Sequence, residues 1–313
     1  YQMRIDGGEA RKVTAHKTGV SSYQWSPDGS KIAFSSTDPE SEEREKAKKE
    51  GRDENVYDEN FRQVRLWVVD ANGGDAKAVY DGEMSTWAYT WAPDNMTLAI
   101  QATSTPLVDA SMMYKRIYRV SLGGGPPELI TQTEGKLGNM AYSPDGSQLA
   151  FASAIDLSDP IAQSVFVVPA SGGTARNLTP DYEGSVNSIS WENDNSIFMN
   201  VTEWSHNFIK RINAESGKSE TVVEGDPIVS ANSYHAGSRT FAMVANSSQH
   251  PAEVYTASAK NGNFKRITNH NPDLDETKLA RQETIRWKSV DGMEIEGVLT
   301  YPTDYSEGNR YPL

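Results

Sequence analysis

The chain has 313 residues, of which 37% are hydrophobic and 23% charged, a composition typical of one large folded domain or two ordinary ones. Its formal net charge of −13 disfavours nucleic acid and anionic membranes as partners, because the summed negative field repels phosphate groups. The absence of cysteine excludes disulfides, thiolate metal sites and a cysteine nucleophile, but it leaves the cytoplasm and the periplasm or cell exterior equally open.

The first predicted element is a β-hairpin. Apolar and polar residues alternate from Tyr1, and Gly7-Gly8 supplies a turn before a second extended stretch that ends near Thr14. No run of eighteen apolar residues occurs in the sequence, so no membrane-spanning helix is predicted.

A repeated sequence unit follows this hairpin. Each copy has a strand that ends in an aromatic residue, a turn of the Pro-Asp-Gly type and a second alternating strand. Three clear copies and two degraded ones lie at Tyr23–Phe34, Tyr89–Ile100, Met140–Phe151, Ile189–Ile197 and Asn232–Phe241. The shared aromatic residues are Trp25, Trp91, Tyr142, Trp191 and Tyr234.

A second hairpin follows the first one in every copy. Its first strand is in turn Arg65–Asp70, Arg116–Val120, Ser164–Val168, Phe208–Ile212 and Glu253–Ala257, and each is followed by a glycine-containing turn. Four antiparallel strands per repeat are the signature of a β-propeller blade. The sequence therefore predicts an all-β propeller, whereas an ordinary β-sandwich, the alternative, would lack the recurring motif.

The predicted propeller spans residues 1–274. It contains a partial blade at 1–19, the outer hairpin of a blade that we expect to be cut at the N-terminus, and five whole blades at 20–84, 85–137, 138–185, 186–227 and 228–274. Long connections between second and third strands are expected on one face, at 37–64, 102–115, 154–163 and 202–207. Since loops on a rigid scaffold carry function, this face is the predicted site face.

The tail predicts the start of a second domain. Residues 275–283 are a linker, and in 284–313 apolar residues alternate on both sides of Asp291-Gly292, which predicts two strands joined by a primed hairpin turn. A lone hairpin is marginal in water. We therefore expect these strands to belong to a larger sheet, and the chain to be a fragment of a longer protein.

These motifs resemble the prolyl oligopeptidase family of serine peptidases, in particular its bacterial acylaminoacyl peptidase and dipeptidyl peptidase branch. The resemblance rests on the Trp-Ser-Pro-Asp-Gly words of the blades, the charged insertion 38–60 and the tail Trp287–Leu299. The blade words also occur in TolB-type envelope propellers. The tail is more specific, because it resembles the hairpin that opens the α/β-hydrolase domain of the peptidases.

The resemblance implies a substrate-gating propeller that covers a hydrolase domain with a Ser-His-Asp triad, and it implies release of a dipeptide or an acylated residue from short peptides. The implied partners are a short peptide substrate and the chain's own C-terminal hydrolase domain, with a homo-oligomer left open and no cofactor expected. No Gly-x-Ser-x-Gly nucleophile motif is present. We therefore expect no catalytic residue in this chain, and no peptidase activity from it alone.

Two residue groups on the predicted site face are candidates for substrate binding. They are Asp58, Glu59 and Arg62, at the end of the charged insertion, and Glu203, Trp204 and His206, a carboxylate, an aromatic ring and an imidazole suited to a peptide end. Packing under a neighbouring loop explains the second group equally well. Within the insertion, the mixed charges of Glu42–Glu50 predict a short solvated helix.

Two other functions remain open at this point. One is a non-catalytic TolB-type propeller that binds partner proteins, for which the tail hairpin would have no use. The other is a lactonase-type propeller with a central metal, which would need repeated Asp, Glu, Asn or His ligands that the sequence does not show. No metal site is predicted, since the five histidines lack ligand spacing.

Overall fold

In the computed structural model, the described residues are 1–56, 59, 61–225, 227–276 and 279–312. They form five antiparallel sheets of four strands, and in every sheet the strands lie side by side in chain order. This confirms the predicted all-β propeller fold with five whole blades. The chain divides into two compact units, Tyr1–Leu178 and Thr179–Leu313.

The first unit holds three blades and both α-helices of the described residues. Blade 1 consists of β1 (Val20–Trp25), β2 (Lys31–Thr37), β3 (Val64–Asp70) and β4 (Lys77–Ala78), with α1 (Glu42–Lys49) between β2 and β3. Blade 2 consists of β5 (Ser85–Trp91), β6 (Thr97–Thr103), β7 (Arg116–Ser121) and β8 (Glu128–Thr131), with α2 (Val108–Met113) between β6 and β7. Blade 3 consists of β9 (Leu137–Tyr142), β10 (Gln148–Ser153), β11 (Ser164–Pro169) and β12 (Arg176–Asn177).

The second unit holds two blades and the tail. Blade 4 consists of β13 (Ser185–Asn193), β14 (Ser196–Glu203), β15 (His206–Asn213) and β16 (Ser219–Glu224). Blade 5 consists of β17 (Ile228–His235), β18 (Thr240–Ser247), β19 (His250–Ser258) and β20 (Phe264–Arg266). A 3₁₀ helix (Pro272–Glu276) then leads to the hairpin of β21 (Gln282–Lys288) and β22 (Glu294–Thr300).

The repeated Ser-Pro-Asp-Gly word forms the turn between the first two strands of a blade. In blade 1, Asp28 accepts hydrogen bonds from the Ser26 hydroxyl at 2.7 Å and from the Ser30 amide at 2.9 Å. These bonds lower the pKa of Asp28 to about 2. Gly29 takes the left-handed conformation with φ 70°, which glycine adopts without strain. The side chains of the motif thus replace backbone hydrogen bonds that the tight turn leaves unmade.

The repeated aromatic residue packs between neighbouring blades. Tyr89 and Trp91 of β5 are buried against Ala33 and Leu66 of blade 1. A second cluster joins blade 2 to blade 3 around Tyr142, and a third joins blade 4 to blade 5 within the second unit. Burial of these apolar surfaces between sheets is the main source of stability in such a fold.

The N-terminal residues pair as a short hairpin beside blade 1. Gln2 and Arg11 form an antiparallel bridge. The Arg11 guanidinium donates to the Asn72 carbonyl at 2.6 Å, and Val13 packs against Phe34 and Val69. These contacts hold the N-terminal segment against blade 1, the blade that follows it in the chain.

The loops test two finer predictions. The solvated helix in the charged insertion is confirmed as α1, whose N-terminal cap is the Ser41 side chain. The predicted long connection 202–207 is wrong, because β14 pairs with β15 up to Glu203 and His206 and leaves a two-residue turn. Helix α2 was not predicted. In the described part of the chain, no helix is both long and apolar enough to cross a membrane.

The predicted primed turn at Asp291-Gly292 is also wrong. Among the residues of this turn, only Gly292 has a positive φ, of 88°, whereas a type I′ turn needs two such residues. The Gly292 amide donates to the Ser289 carbonyl at 3.0 Å, and the strands end at Lys288 and Glu294, so the loop is longer than a two-residue turn. The hairpin itself forms as predicted.

Candidate functional site

The β14–β15 turn of blade 4 is the centre of the candidate site. Its two turn residues are Trp204 and Ser205, and Glu203 faces His206 across the strand pair. Trp204 has φ 55°, an unusual conformation for a bulky residue. The residue is 52% exposed, and its ring lies under the Arg286 guanidinium of the tail, 5.1 Å from ring centroid to Cζ. The turn therefore presents an aromatic face to the tail hairpin.

Glu203 is already paired within blade 4 and its preceding loop. The Lys210 ammonium forms an ion pair with the Glu203 carboxylate, which also accepts a hydrogen bond from the Tyr182 hydroxyl at 2.5 Å. Burial opposes ionisation of Glu203, but these two bonds outweigh it and lower its pKa. Burial and the adjacent carboxylate raise the pKa of Tyr182. Glu203 is thus an anion whose charge Lys210 largely neutralises.

Ser205 and Glu296 connect blade 4 to the tail hairpin. One Glu296 carboxylate oxygen accepts from the Ser205 amide at 2.8 Å and from the Ser205 hydroxyl at 2.6 Å. The other accepts from Arg286 Nε at 2.8 Å. The Glu296 side chain is only 2% exposed, and the Ser205 hydrogen bonds lower its pKa to about 2. We call Ser205, Arg286 and Glu296, with Trp204, the turn–hairpin clamp.

The two faces of the hairpin differ in chemistry. Cross-strand pairs Thr284–Val298 and Arg286–Glu296 lie on the face that contacts blade 4. The opposite face carries Ile285 and Trp287 of β21, together with Ile295 and Leu299 of β22. Trp287 also covers Gly297, where a Cβ atom would come within 2.9 Å of the indole ring. Ile285 and Trp287 remain exposed, so this apolar face has no cover within the described residues.

A polar cleft of about 750 Å³ lies beside the clamp. Its walls come from the β14–β15 turn, the start of β17, the β18–β19 turn and the hairpin. They are lined by Ser205, His206, Pro227, Ile228, Asn246, Ser247, Ser248, Gln249, His250, Gln282, Glu283, Thr284 and Val298. Hydroxyl, amide, imidazole and carboxylate groups together suit an extended polar chain such as a peptide.

His250 has its ring fixed within this cleft. Its Nε2 lies 2.7 Å from the Tyr255 hydroxyl and its Nδ1 lies 2.8 Å from the Pro251 carbonyl. A carbonyl only accepts, so Nδ1 carries the proton of the neutral ring and Nε2 accepts from Tyr255. The second histidine, His206, is exposed and lies near Phe208, with ring centroids 6.3 Å apart.

A buried carboxylate, that of Glu253, binds the segment that leads from β20 to the tail. Glu253 accepts from the Thr268 hydroxyl and from the His270 amide at 2.7 Å, and Arg266 lies 3.4 Å away. The Thr268 hydrogen bond is the main cause that lowers the pKa of Glu253 to about 2. This cluster fixes the path of the chain beyond β20.

The structure distributes the predicted site residues over both units. Glu203, Trp204 and His206 adjoin one another on the β14–β15 turn of the second unit. Glu59 and Arg62 are exposed in the first unit, and Asp58 lies outside the described residues. A substrate-binding role for all six residues stays a prediction.

The sequence reasoning missed the partners that organise this site. These are Tyr182, Lys210, His250, Arg286 and Glu296. The alternation of Thr284, Arg286 and Glu296 against Ile285 and Trp287 was a signal for a two-sided hairpin. No sequence pattern indicated that Ser205 of the β14–β15 turn would bind this hairpin. Among the described residues, no group of three or more His, Asp or Glu side chains could hold a metal ion.

Comparison with curated proteins gives relatives named dipeptidyl-peptidase 5. No family model matches the chain. Dipeptidyl-peptidase 5 of Porphyromonas gingivalis is 24% identical over 248 residues, which is 74% of this chain and 35% of that protein. The chain spans about a third of the length of the curated relatives it matches.

Solved structures agree on the fold. Acylaminoacyl peptidase of Pyrococcus horikoshii matches 97% of this chain with a TM-score of 0.69 and 15% identity, over 46% of its own chain. A TolB-type protein from Agrobacterium tumefaciens matches with a TM-score of 0.54 and 17% identity, over 92% of both chains. The predicted resemblance to the prolyl oligopeptidase family is thus confirmed by the sequence relatives, while the solved structures by themselves show the fold.

Proposed function

We propose that this chain is the substrate-gating propeller of a serine exopeptidase or oligopeptidase that hydrolyses short peptides, with the triad on an α/β-hydrolase domain that begins at the tail hairpin. The proposed division is a propeller over residues 1–274, a linker over 275–283 and the opening of the hydrolase domain over 284–313. The sequence relative named dipeptidyl-peptidase 5 supports the peptide substrate class.

One observation carries the proposal, namely the two-sided chemistry of β21–β22. Its polar face meets the propeller through the clamp, while Ile285 and Trp287 on the other face stay exposed. A hairpin with an apolar face is stable when a further layer of sheet or helix covers that face. The fold of a hydrolase domain supplies such a layer, whereas a propeller that only binds partners needs no such hairpin.

The cleft beside the clamp is the proposed peptide path. The exposed imidazole of His206 can exchange hydrogen bonds with peptide amides and carbonyls, and Thr284 provides a hydroxyl on the hairpin wall. His250 shapes the cleft instead, because both of its ring nitrogens are already bonded within the protein. Glu203 contributes less than its position suggests, because Lys210 already neutralises it. Recognition in this cleft therefore depends on hydrogen bonds to the peptide backbone more than on its terminal charge.

Labelling with a serine-reactive fluorophosphonate probe tests whether the catalytic serine lies outside this chain. The chain of 313 residues should remain unlabelled and should not cleave dipeptidyl or acylaminoacyl p-nitroanilides. The product of the complete gene, expressed to its natural stop codon, should be labelled at the serine of a Gly-x-Ser-x-Gly motif and should cleave them. Turnover by the 313-residue chain, or an unlabelled complete product, contradicts the proposal.

Calorimetric titration with unlabelled tripeptides tests the cleft. His206→Ala should raise the Kd by about tenfold, since one hydrogen bond to the peptide is lost. His235→Ala is the matched control, because His235 is exposed and bonds to Ser238 outside the cleft. Equal affinity in all three proteins would place peptide binding elsewhere.

The alternative is a non-catalytic propeller of the TolB type, favoured by the structural match that covers 92% of both chains. In that case the complete gene product would lack a reactive serine, and tripeptides would not bind the cleft. The two experiments together distinguish the alternatives.

A further inference from the structure

Lys115 is a partly buried cation without an anionic partner in the described part of the chain. It lies between α2 and β7, and its ammonium donates to the Leu137 carbonyl at 3.2 Å. Burial lowers the pKa of Lys115, and no described carboxylate lies close enough to raise it again. An ammonium has three N–H donors, so two donors and a positive charge remain uncompensated. This is unexpected in a chain with 43 acidic and 30 basic side chains.

A structural role at the blade interface does not require this charge. Blade 4 makes the equivalent bridge with a neutral amide, because the Val229 amide donates to Asn207 Oδ1 at 3.3 Å. Leu137 and Val229 are equivalent positions of the repeat, since each lies five residues before the shared aromatic residue of its blade. A neutral side chain thus suffices to join one blade to the next, and a lysine supplies a charge and donors beyond that bridge.

Gln163 brings an amide to the same place. It lies directly before β11, and its Oε1 atom is 2.4 Å from the point that a Cβ atom on Gly138 would occupy. Glycine at this position therefore leaves the room that the carboxamide fills. Lys115 and Gln163 meet at the first two residues of β9, Leu137 and Gly138, at the end of the blades where the long connections emerge.

Exposed apolar side chains lie on the two loops that lead to this polar pair. Each of them is more than half exposed, and they are Met112, Tyr114, Ile155 and Leu157. Both loops rest on the segment that leads into β9. The Lys115 carbonyl accepts from the Thr133 hydroxyl at 3.0 Å, and the Ala154 amide donates to the Lys136 carbonyl at 2.8 Å. A cation and an amide thus lie between two loops with apolar surfaces.

We infer that Lys115 and Gln163 form a subsite for a carboxylate attached to an apolar group, such as the C-terminal residue of a peptide that ends in leucine. The carboxylate accepts a charge-assisted hydrogen bond from the ammonium and a second bond from the Gln163 amide. The apolar group is buried against the two loops. The inference does not depend on the proposed function, because a free apolar acid has the same chemistry.

NMR of ¹³C-labelled lysine side chains tests the subsite on the complete 313-residue chain. The signal of Lys115 is identified by its loss in Lys115→Gln. N-acetyl-leucine should shift this signal in a saturable way and raise the pKa of Lys115, because a bound anion stabilises the ammonium. N-acetyl-leucinamide, which lacks the carboxylate, should do neither. A lysine that only joins two blades would respond to neither compound.

The Gly138 backbone amide reports binding in the variants. Lys115→Gln keeps a donor for the Leu137 carbonyl but should raise the Kd of N-acetyl-leucine about tenfold, since a hydrogen bond to a charged group is lost. Lys136→Gln is the matched control, because the Lys136 ammonium is already paired with the Asp159 carboxylate at 2.6 Å. This control should leave the Kd unchanged.

Isocaproate distinguishes two sources of the carboxylate, since it has the apolar group of leucine without an amide bond. Tighter binding of N-acetyl-leucine supports a subsite for a peptide end, and equal affinity supports a subsite for free apolar acids. The inference is overturned by equal responses to N-acetyl-leucine and its amide, or by an unchanged Kd in Lys115→Gln. Failure of the proposed function, seen as a complete gene product without a reactive serine, would leave these results as they are.

Discussion

The hydroxyl of Tyr142 lies at a blade interface without a hydrogen-bond partner in the described part of the chain. Burial raises the pKa of Tyr142 to about 12, which reflects the same loss of solvent. At the equivalent interface of blade 2, the Tyr89 hydroxyl lies 3.0 Å from the Ser22 hydroxyl and 3.4 Å from the Ala33 carbonyl. The two tyrosines hold different positions of the repeat, but both are buried at a blade interface, and only the Tyr89 hydroxyl has a hydrogen-bond partner there.

Replacing each tyrosine with phenylalanine should change stability in opposite directions. An unsatisfied buried polar group costs about 1–3 kcal/mol, so Tyr142→Phe should stabilise the first unit by about 1 kcal/mol. Tyr89→Phe removes a satisfied hydroxyl and should destabilise it by about 0.5–1.5 kcal/mol. Ring volume and apolar burial are almost unchanged in both variants, so the difference isolates the hydroxyl.

Hydrogen exchange at increasing urea concentration, monitored on peptides from residues 1–178, measures both changes in one unit. It avoids a single global transition, which a chain of two compact units need not show. If Tyr142→Phe destabilises the first unit as much as Tyr89→Phe does, the Tyr142 hydroxyl has a partner and the reasoning is refuted.

Three further predictions concern the second unit. Because the pKa of Glu296 is lowered to about 2, its ionised form stabilises the clamp at pH values above the unfolded pKa near 4.3, and this stability is lost as the pH falls toward 2. Amide protection of the hairpin should therefore fall across that pH window. Glu296→Gln should lose the same protection at neutral pH. Phe241→Ala, at a fully buried ring, should cost about 3–5 kcal/mol in urea unfolding, whereas Val244→Ala on the exposed side of the same strand should cost far less. Asn207→Ala should cost about 1–3 kcal/mol by the same measurement, because the Val229 amide, 3.3 Å from Asn207 Oδ1, loses its acceptor.

The sequence contained the blade architecture because each blade repeats a local rule. Asp28 accepts the hydrogen bonds of its own turn, and Gly29 provides the left-handed conformation that the turn needs. Trp25 and its equivalents mark the end of the first strand. Each of these features is therefore visible in the local sequence. The turn at Asp291 was misjudged because the Asp-Gly pair fits both a primed turn and a longer loop in which only the glycine is left-handed. The choice depends on how the flanking strands pair, which the dipeptide does not encode.

The candidate site was less accessible to sequence reasoning. Ser205 and Glu296 are 91 residues apart, and nothing in either local pattern pairs them. Glu203 was correctly noticed as a carboxylate beside an aromatic residue, but its neutralisation by Lys210 arises from the strand pairing of β14 with β15. The chemistry of a side chain can be read from the local sequence, whereas the fold determines which residue pairs with it and so whether its charge is neutralised.

The clamp and the cluster between blades 4 and 5 hold the second unit together by different forces. The clamp consists of charge-assisted hydrogen bonds around one buried carboxylate, so it depends on geometry and on the ionisation of Glu296. The cluster between the two blades is apolar, so it gains stability from burial with little directional demand. Acid that protonates Glu296 should therefore loosen the hairpin while the blade cluster stays intact.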